Sequence, residues 1–507
     1  MSDAKYVSPI GGGSGGGGSV TVVDVVEKGN QNPVSSQGVY NHINDREAVF
    51  GRYWNESLSQ SKAAGYFGSL DFGKHLIDNL GLGRYLVTDD RRWTKLKSTK
   101  STEDIDGRTV ALDGTQGQCI WGWLKHYYGN WQEVINGNTY TYEVVSLLPS
   151  YKGHKLIEIP RGGVSWLSAA VWDAAGGKLC SLISDDANYR GGGGSALSTT
   201  TYSPLDADMP QCSMLGMPRT EKSLSAFSTA ARLRGTGWEA NWFVARAVVE
   251  YLMRIYFGNR NSQAAFNASD DADGLPQGGL GAGVADMPHW DTFNGYHPLI
   301  PNAFSIKDAD DNDIGDFTGV KTYVIKNKDN ETVYSAPVPF FAGLMNPFGH
   351  LYQFVNGVII DIAAEGTSDI YVTPSMAAAV DQSTVADKLF AGHMARTSGY
   401  IKKLILNRLC GLPSEVGGSA STYYADYLYT SPASYNGKKV RLAGGYANYG
   451  SYAGASYSYT NYAASFTHAN IFSPRLSAYL ATTRKSNKTK TRLQRIPFEG
   501  VRCRNFF

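Results

Sequence analysis

The chain has 507 residues, 57 of them glycine, and 18% of its residues are charged. This length exceeds what one hydrophobic core usually organises, so we expect several packed units, and the composition favours β-rich, loop-rich architecture over helical bundles. The formal net charge of +2 excludes a whole-chain attraction to nucleic acid or anionic membranes, and no apolar run is long enough to predict a membrane-spanning helix.

Residues 1–45 are predicted to form a flexible tether and a trimerisation segment. The first residues end in GGGSGGGGS and lack the basic and apolar regions of a signal peptide, so we expect the chain to be made and folded in a cytoplasm. Val39 and Ile43 are spaced as on one face of a short helix. The stretch NPVSSQGVY resembles stalk segments of trimeric phage tail-fibre proteins.

Residues 46–215 are predicted to form a β-rich intermediate domain. Helix-like pieces such as KHLIDNLGLGRYL alternate with strand-like segments such as TYTYEVVSLL and HKLIEIP, separated by Gly and Asp-Gly turns. Tryptophans in this region are predicted to anchor cores or interfaces, with carbohydrate stacking as the alternative. They are Trp93, Trp121, Trp123, Trp131 and Trp166.

Residues 216–507 are predicted to form a third unit that begins with the strongest helix signal in the chain. Thr236 and Glu239 have the spacing of a capping box, apolar residues follow at helical intervals, and Gly258 offers a C-terminal stop. Glycine-rich loops and the strand-like segments TYVIKN and LYQFVNGVIIDI come next. This order, with the helix first and the loops and strands after it, predicts an α+β fold class.

Signals for catalysis or metal binding are weak throughout. Ser14 matches a nucleophile motif only within the flexible tether, and the glycines of 279–283 lack the βαβ setting of a dinucleotide site. Asp308, Asp310 and Asn312 have calcium-loop spacing, but the glycine and the bidentate glutamate of such a loop are missing, so we predict a solvated turn. We therefore expect no catalytic residue, no metal and no cofactor.

The cysteines and the C-terminal tail also favour structural roles. The cysteines are scattered without a C-x-x-C pair, which predicts buried free thiols: Cys119, Cys180, Cys212, Cys410 and Cys503. The tail at 481–507 is basic, which is typical of a nucleic-acid arm, yet its apolar residues favour a strand or docking segment.

One segment has an unusual composition. Residues 443–472 read AGGYANYGSYAGASYSYTNYAASFTHANIF, with large rings set among Gly, Ala, Ser, Thr and Asn. Tyr457 and Tyr459 share one face of an extended strand, as do Phe466 and His468, whereas the tyrosines from 446 to 452 recur every three residues, as in a turn. Rings that face the core are the alternative, but the segment lacks the aliphatic partners of a close-packed core and is typical of binding loops.

Several motifs together resemble one family. NPFGHLYQFVNG (346–357), GYIKKL (399–404), GGSASTYYADY (417–427) and the helix WFVARAVVEYLMRIYFGNRNSQ resemble the C-type-lectin-fold variable proteins of diversity-generating retroelements, especially those of Bacteroides phages and prophages. The resemblance covers about residues 215–480 and implies a C-type-lectin-like fold in that region. This chain departs from the family by continuing beyond Leu480. Formylglycine-generating enzymes share the implied fold, but no cysteine pair is placed for their chemistry.

In that family a reverse transcriptase recopies a template while randomising its adenines, so asparagine codons become codons for other residues. The resemblance therefore implies a variable region at about 440–480 that binds ligand without metal, and it assigns Tyr423, Tyr424, Tyr427 and Tyr429 to the fixed scaffold. The implied ligand-binding positions are Tyr446, Tyr449, Tyr452, Tyr457, Tyr459, Tyr462, Phe466, His468, Phe472 and Tyr479.

The resemblance implies a phage tail-fibre or tail-tip receptor-binding protein that is not an enzyme. Its expected partners are a host cell-surface glycan or protein, phage tail proteins through the N-terminal segment, and two further copies in a homotrimer, with neither nucleic-acid binding nor membrane insertion. Its expected location is the virion, after assembly in the host cytoplasm. A bacterial surface adhesin encoded with a retroelement and a glycan-degrading tail component are the alternatives.

Overall fold

A computed structural model describes residues 48–167, 170–173, 175–184, 189, 222–266, 306–308, 310–326, 332–349, 352–376, 382–445, 447–468, 471–472 and 475–479. Several predictions fall outside these residues: the tether and trimerisation segment, Ser14, the glycine motif at 279–283, the boundary at 215, Cys212, Cys503, Tyr446 and the basic tail.

The region up to residue 184 is built mainly of short strands, with the helices α1 (Leu70–Lys74) and α2 (Leu76–Asn79). Its strands are β1 Val49–Asn55, β2 Gly65–Gly68, β3 Gly83–Val87, β4 Trp93–Lys97, β5 Lys100–Asp104, β6 Gln118–Trp123, β7 His126–Ile135, β8 Asn138–Ser146, β9 Ser150–Tyr151, β10 His154–Lys155, β11 Ile157–Ile159, β12 Gly162–Ser165, β13 Val171–Trp172 and β14 Leu179–Cys180.

The region from residue 222 contains the two longer helices, α3 (Leu224–Arg232) and α4 (Phe243–Phe257). Its strands are β15 Trp238–Ala240, β16 Gly319–Lys326, β17 Thr332–Phe341, β18 Leu344–Met345, β19 Tyr352–Ile362, β20 Ser368–Val372, β21 Leu389–His393, β22 Gly399–Ile405, β23 Leu412–Val416, β24 Tyr427–Tyr429, β25 Gly437–Gly444, β26 Gly454–Tyr459, β27 Ile471–Phe472 and β28 Leu476–Tyr479.

The α+β prediction is wrong, because the protein is mostly β. Strands hold 43% of the described residues and helices only 14%. The prediction gave too much weight to the periodicity of α4, whereas alternating segments such as TYTYEVVSLL and LYQFVNGVIIDI form the long strands β8 and β19. Pairing between strands that are distant in the chain therefore dominates the architecture.

The predicted capping box is also wrong. Residues Trp238–Ala240 form β15, which pairs with β28, and α4 begins only at Phe243. Glu239 is fully buried and accepts a hydrogen bond from Arg232 Nε at 2.7 Å instead of capping a helix. The predicted stop is confirmed, since Gly258 ends α4 with a left-handed φ of 61°, which glycine adopts without steric cost.

One seven-stranded sheet crosses the predicted boundary between the intermediate and C-terminal units. Its order is β15-β28-β12-β6-β3-β4-β5, so β28 near the end of the chain lies between β12 and β15. A nine-stranded sheet has the order β21-β20-β19-β25-β26-β24-β22-β23, with β27 paired to β19, and a five-stranded sheet has the order β11-β7-β8-β1-β2. Because β28 hydrogen-bonds to strands on both sides of residue 215, the described parts of the two units share one sheet.

Helix α4 lies at the centre of the core and is buried on almost every side. Its charged side chains are paired: Arg254 binds Glu143 of β8 at 2.8 Å, and Glu250 binds Arg441 of β25 at 2.8 Å. These buried pairs connect α4 to two sheets, and removal of one partner would leave an uncompensated charge. The tryptophan prediction is confirmed for three core residues, Trp121, Trp123 and Trp166.

Candidate functional site

The aromatic-rich segment folds as a turn, a strand and a stretch without regular secondary structure. The strand predicted for Phe466 and His468 is therefore wrong, because the backbone N–H of Phe466 closes a turn to the Ala463 carbonyl, although the two rings still lie parallel with centroids 6.2 Å apart. A 3-10 turn at Ala447–Tyr452 contains Tyr449 and Tyr452, and β26 contains Tyr457 and Tyr459, as their spacings predicted. For Phe472 the structure describes only the backbone, which belongs to β27.

Strand β26 lies between β25 and β24 in the nine-stranded sheet, and its two faces differ. Ser458 accepts a hydrogen bond from Arg441 Nε at 2.9 Å on one face. On the other face, Tyr457 and Tyr459 pack against Tyr352 of β19, with ring centroids 6.1 Å and 5.5 Å away. The alternation along the strand therefore separates a polar, buried face from an aromatic one.

The rings on the aromatic face continue into neighbouring elements as one connected group. Tyr452 packs on Tyr427 of β24 with centroids 4.4 Å apart, and Tyr462 stacks on Phe466 at 3.6 Å. Such offset and edge-on arrangements are favourable for aromatic pairs. We name this group the aromatic band, and its members are Tyr352, Tyr400, Tyr427, Tyr429, Tyr449, Tyr452, Tyr457, Tyr459, Tyr462, Phe466 and His468.

Burial divides the aromatic band into inner and outer rings. The inner rings are Tyr352, Tyr457 and Tyr459, with exposed fractions of 3%, 1% and 8%. Tyr429 and Tyr452 are outer rings, with exposed fractions of 43% and 42%. The remaining outer rings are partly exposed: Tyr400, Tyr427, Tyr449, Tyr462, Phe466 and His468.

Three predicted ligand-binding positions lie in the core. Tyr457 is covered by Tyr352 and Tyr449, and Tyr479 of β28 packs edge-on against Trp123 at 5.9 Å with an exposed fraction of 6%. Neither ring can offer a face to a partner in this arrangement, so the prediction of direct contact is corrected for both. Tyr459 is nearly as buried, and its prediction is corrected in the same way.

The turn below the outer rings is fixed by residues that follow α4. Gln263 Nε2 donates to the carbonyl oxygens of Gly450 and Ala453, at 2.7 Å and 2.6 Å. Ser262 Oγ accepts from the backbone N–H of Ala455 at 2.9 Å. These bonds satisfy backbone groups of the turn and of β26, so the outer rings are mounted on a defined support.

A buried carboxyl group sets the start of β26. Asp426 accepts a hydrogen bond from the backbone N–H of Ser456 at 2.7 Å, and a Cβ atom at Gly454 would lie 1.9 Å from Asp426 Oδ1. Only glycine leaves room for the carboxyl group there. Burial raises the pKa of Asp426 well above its usual value, although the Ser456 N–H acts in the opposite direction.

Several tyrosines of the aromatic band have a raised pKa, which keeps their hydroxyl groups neutral near physiological pH. Burial, followed by the proximity of other tyrosine oxygens, raises the pKa of Tyr352 and Tyr457. The pKa values of Tyr400 and Tyr427 are raised as well, mainly by burial. These tyrosines therefore combine apolar ring faces with neutral hydrogen-bonding groups, a combination suited to binding contacts.

Sequence reasoning missed four members of the band. Tyr352 and Tyr400 lie in two of the family-like motifs, and the resemblance assigns Tyr427 and Tyr429 to the fixed scaffold. Tyr429 stacks parallel to Tyr459 with centroids 5.1 Å apart. The alternation of Tyr427 and Tyr429 in ADYLYTS places both rings on one face of a strand, and that signal could have identified them.

The acidic stretch at 308–313 is a turn, as predicted. Asp308 accepts from the backbone N–H groups of Asp310 and Asn312 at 3.0 Å and 2.9 Å, and Lys321 pairs with its carboxylate at 2.8 Å. Across the described ranges, no group of three or more His, Cys, Asp or Glu side chains has an arrangement suited to a metal ion. The buried-thiol prediction is confirmed for Cys119, Cys180 and Cys410.

In the part of the chain that the structure describes, every helix is too short or too polar to cross a membrane. No protein-family model matches this chain, and no curated protein matches it either.

Proposed function

We propose that this chain is the receptor-binding adhesin of a phage tail fibre or tail tip, and that the aromatic band contacts a glycan or protein on the host cell surface. The observation that supports this proposal is that the band consists of buried inner rings and accessible outer rings. The accessible outer ring of Tyr429 stacks on the buried inner ring of Tyr459, and the outer ring of Tyr452 belongs to a hydrogen-bonded turn. Rigid rings lose little conformational entropy on binding, so each accessible ring contributes contact area at low cost.

The proposed attachment and assembly follow from the family resemblance. Residues 1–45 would join three copies to phage tail proteins in the virion, and three bands on one fibre would convert weak single-site affinity into avidity. The binding step needs no cofactor and no covalent chemistry, because burial of ring faces and hydrogen bonds from neutral hydroxyls supply the attraction.

The proposed diversification acts on the outer rings. Tyr449, Tyr452, Tyr462, Phe466 and His468 are partly or largely exposed, and substitutions at such positions usually change stability by about 0.5 kcal/mol or less. A retroelement could therefore rewrite these side chains without unfolding the support. The buried rings of Tyr457 and Tyr459 would tolerate fewer replacements.

The test is adsorption of the fluorescently labelled full chain to a panel of Bacteroides strains. In one variant the five outer rings of the segment revert to asparagine: Tyr449, Tyr452, Tyr462, Phe466 and His468. The matched control is Tyr435→Asn. Tyr435 is 43% exposed, but it lies in the loop that precedes β25 and does not belong to the band.

We expect the unaltered chain to adsorb to at least one strain, the five-ring variant to lose adsorption by about a hundredfold, and the control to retain it. Equal adsorption of the five-ring variant and the unaltered chain would place the binding site elsewhere. Absence of adsorption to every strain would contradict the adhesin function itself.

A further inference from the structure

A polar groove that shares no residue with the aromatic band lies between the five-stranded and nine-stranded sheets. Its volume is about 450 Å³, which is within the range of small-molecule sites. One wall is formed by Asn130 and Gln132 of β7 and Thr141 of β8. The other wall includes Lys402 and Lys403 of β22, followed by Asn407 and by Ser414 of β23.

The base of the groove is a fixed, buried ion pair. Arg260 donates from both terminal nitrogens to the Glu56 carboxylate, at 2.7 Å and 3.1 Å, and is only 2% exposed. Burial acts to raise the pKa of Glu56, but the hydrogen bonds and charge of Arg260, together with Thr141 and Lys403, outweigh burial and lower this pKa, so the carboxylate remains charged. Among the described residues, the buried Arg260 Nε has no hydrogen-bond partner.

One wall is ordered before any ligand arrives. Gln132 Nε2 donates to Thr141 Oγ1 at 3.0 Å, which leaves the amide oxygen of Gln132 without a partner in the described ranges. Preorganised polar groups of this kind bind ligands without a large cost in side-chain ordering.

Further hydrogen-bonding groups of the groove are uncommitted. Within the described part of the chain, the side chains of Asn130 and Ser414 make no hydrogen bond, and Asn407 uses only its Nδ2, which donates to the Ala391 carbonyl at 3.1 Å. Amide groups offer both donors and acceptors, which is the complement that the hydroxyl groups of a sugar require.

The charges near the groove leave one positive charge in excess. Lys402 and Lys403 share Glu415, at 2.5 Å and 2.7 Å, and Glu56 neutralises Arg260. The groove therefore has three cationic side chains and two carboxylates at or near its walls. Each ammonium group has three donors, so either lysine can bind a carboxylate of the ligand while it keeps its contact with Glu415.

We propose that this groove is a second binding site, for a polysaccharide unit that carries a carboxylate. The side-chain amide of Asn130 and the amide oxygen of Asn407 would bind its hydroxyl groups from opposite walls, and Lys403 would bind its acidic group. This site is independent of the aromatic band, so its ligand can be a repeating surface polysaccharide while the band contacts a different receptor.

The test measures binding of the full chain to immobilised acidic polysaccharides (polygalacturonate, alginate and hyaluronate) and to neutral ones (dextran, mannan and methyl-esterified polygalacturonate). The groove variants are the double change Asn130→Ala/Asn407→Ala and the single change Lys403→Gln. The matched controls outside the groove are Asn436→Ala and Lys438→Gln. Thermal unfolding of each variant verifies that it is folded.

We expect at least one acidic polysaccharide to bind and its neutral counterparts to bind more weakly. The double amide variant should bind about tenfold more weakly and Lys403→Gln about fivefold more weakly, while both controls and the five-ring variant of the band bind normally. Absence of binding to every acidic polysaccharide, or equal binding by the groove variants and the controls, would overturn the proposal.

Discussion

Residues 443–472 contribute both inner and outer rings to the aromatic band, and the environments of these rings are opposite. Tyr457 on β26 is 1% exposed, whereas Tyr452, a few residues earlier in the turn, is 42% exposed. Tyr457 packs against Tyr352 from a distant strand, whereas Tyr452 remains exposed although it contacts the rings of Tyr400, Tyr427 and Tyr449. Local spacing therefore fixes which rings share a face, while tertiary packing decides which face is covered.

This difference in burial assigns two roles to rings that the amino-acid composition does not distinguish. The inner rings act as a small core that supports the surface, and the outer rings supply the surface. Substitution of an inner ring should mainly lower the free energy of unfolding, and substitution of an outer ring should mainly weaken adsorption to host cells. The following predictions test that separation.

Replacement of the inner ring in Tyr457→Ala should have the largest effect on stability. Loss of a fully buried ring removes its packing and leaves a cavity, which costs about 3–4 kcal/mol of the free energy of unfolding. Urea unfolding followed by tryptophan fluorescence measures this cost. A loss below about 1 kcal/mol would contradict the inner role of Tyr457.

The substitution Gly454→Ala should destabilise the same strand by about 2 kcal/mol, since the added Cβ would overlap the Asp426 carboxyl group. The same urea measurement applies. The double variant Gly454→Ala/Asp426→Ala should lose less stability than the sum of the two single changes, because it removes the overlap. Additive losses would show that the close contact is not the cause.

Replacement of an outer ring in Tyr452→Ala should weaken adsorption to a responsive strain about tenfold, since accessible aromatic rings are frequent hot spots. Its free energy of unfolding should change by only about 0.5 kcal/mol. Tyr435→Ala is the control, with an exposed fraction of 43% against 42% for Tyr452. Equal adsorption by the two variants would remove the outer rings from the binding surface.

The smallest expected effect concerns pH. Burial first, and nearby tyrosine oxygens second, raise the pKa of Tyr457 well above 10.0, so the unfolded chain loses this proton at a lower pH than the folded chain. The contribution of Tyr457 to stability is therefore complete below pH 10 and falls as the pH rises further. Tyr457→Phe should reduce the alkaline slope of stability by up to about 1.4 kcal/mol per pH unit. Identical slopes in urea titrations above pH 10 would contradict the burial of this hydroxyl.

Local features of the fold were predictable from the sequence. The strand with Tyr457 and Tyr459, the turn with Tyr449 and Tyr452, and the helix stop at Gly258 follow from short-range spacing and backbone preference. The start of α4 was not predictable in this way. The Thr236–Glu239 pattern fits a helix cap locally, but pairing with β28 from the far end of the chain holds those residues extended.

The candidate site was only partly predictable for the same reason. The composition of residues 443–472 identified the segment, but the ring of Tyr352 that covers Tyr457 comes from β19. The polar groove is assembled from strands β7, β8 and β22 and from Arg260, and no single segment contains its pattern. Local sequence patterns therefore give little information about sites that long-range strand pairing assembles.

Hydroxyl-radical footprinting of the full chain, alone and adsorbed to a responsive strain, tests the division of the aromatic band most directly. Oxidation of Tyr429, Tyr452 and Tyr462 should fall on adsorption, while Tyr435 is oxidised equally in both states and Tyr457 is protected in both. Unchanged oxidation of the three outer rings, with protection appearing at Tyr435 or elsewhere, would contradict the proposed binding surface.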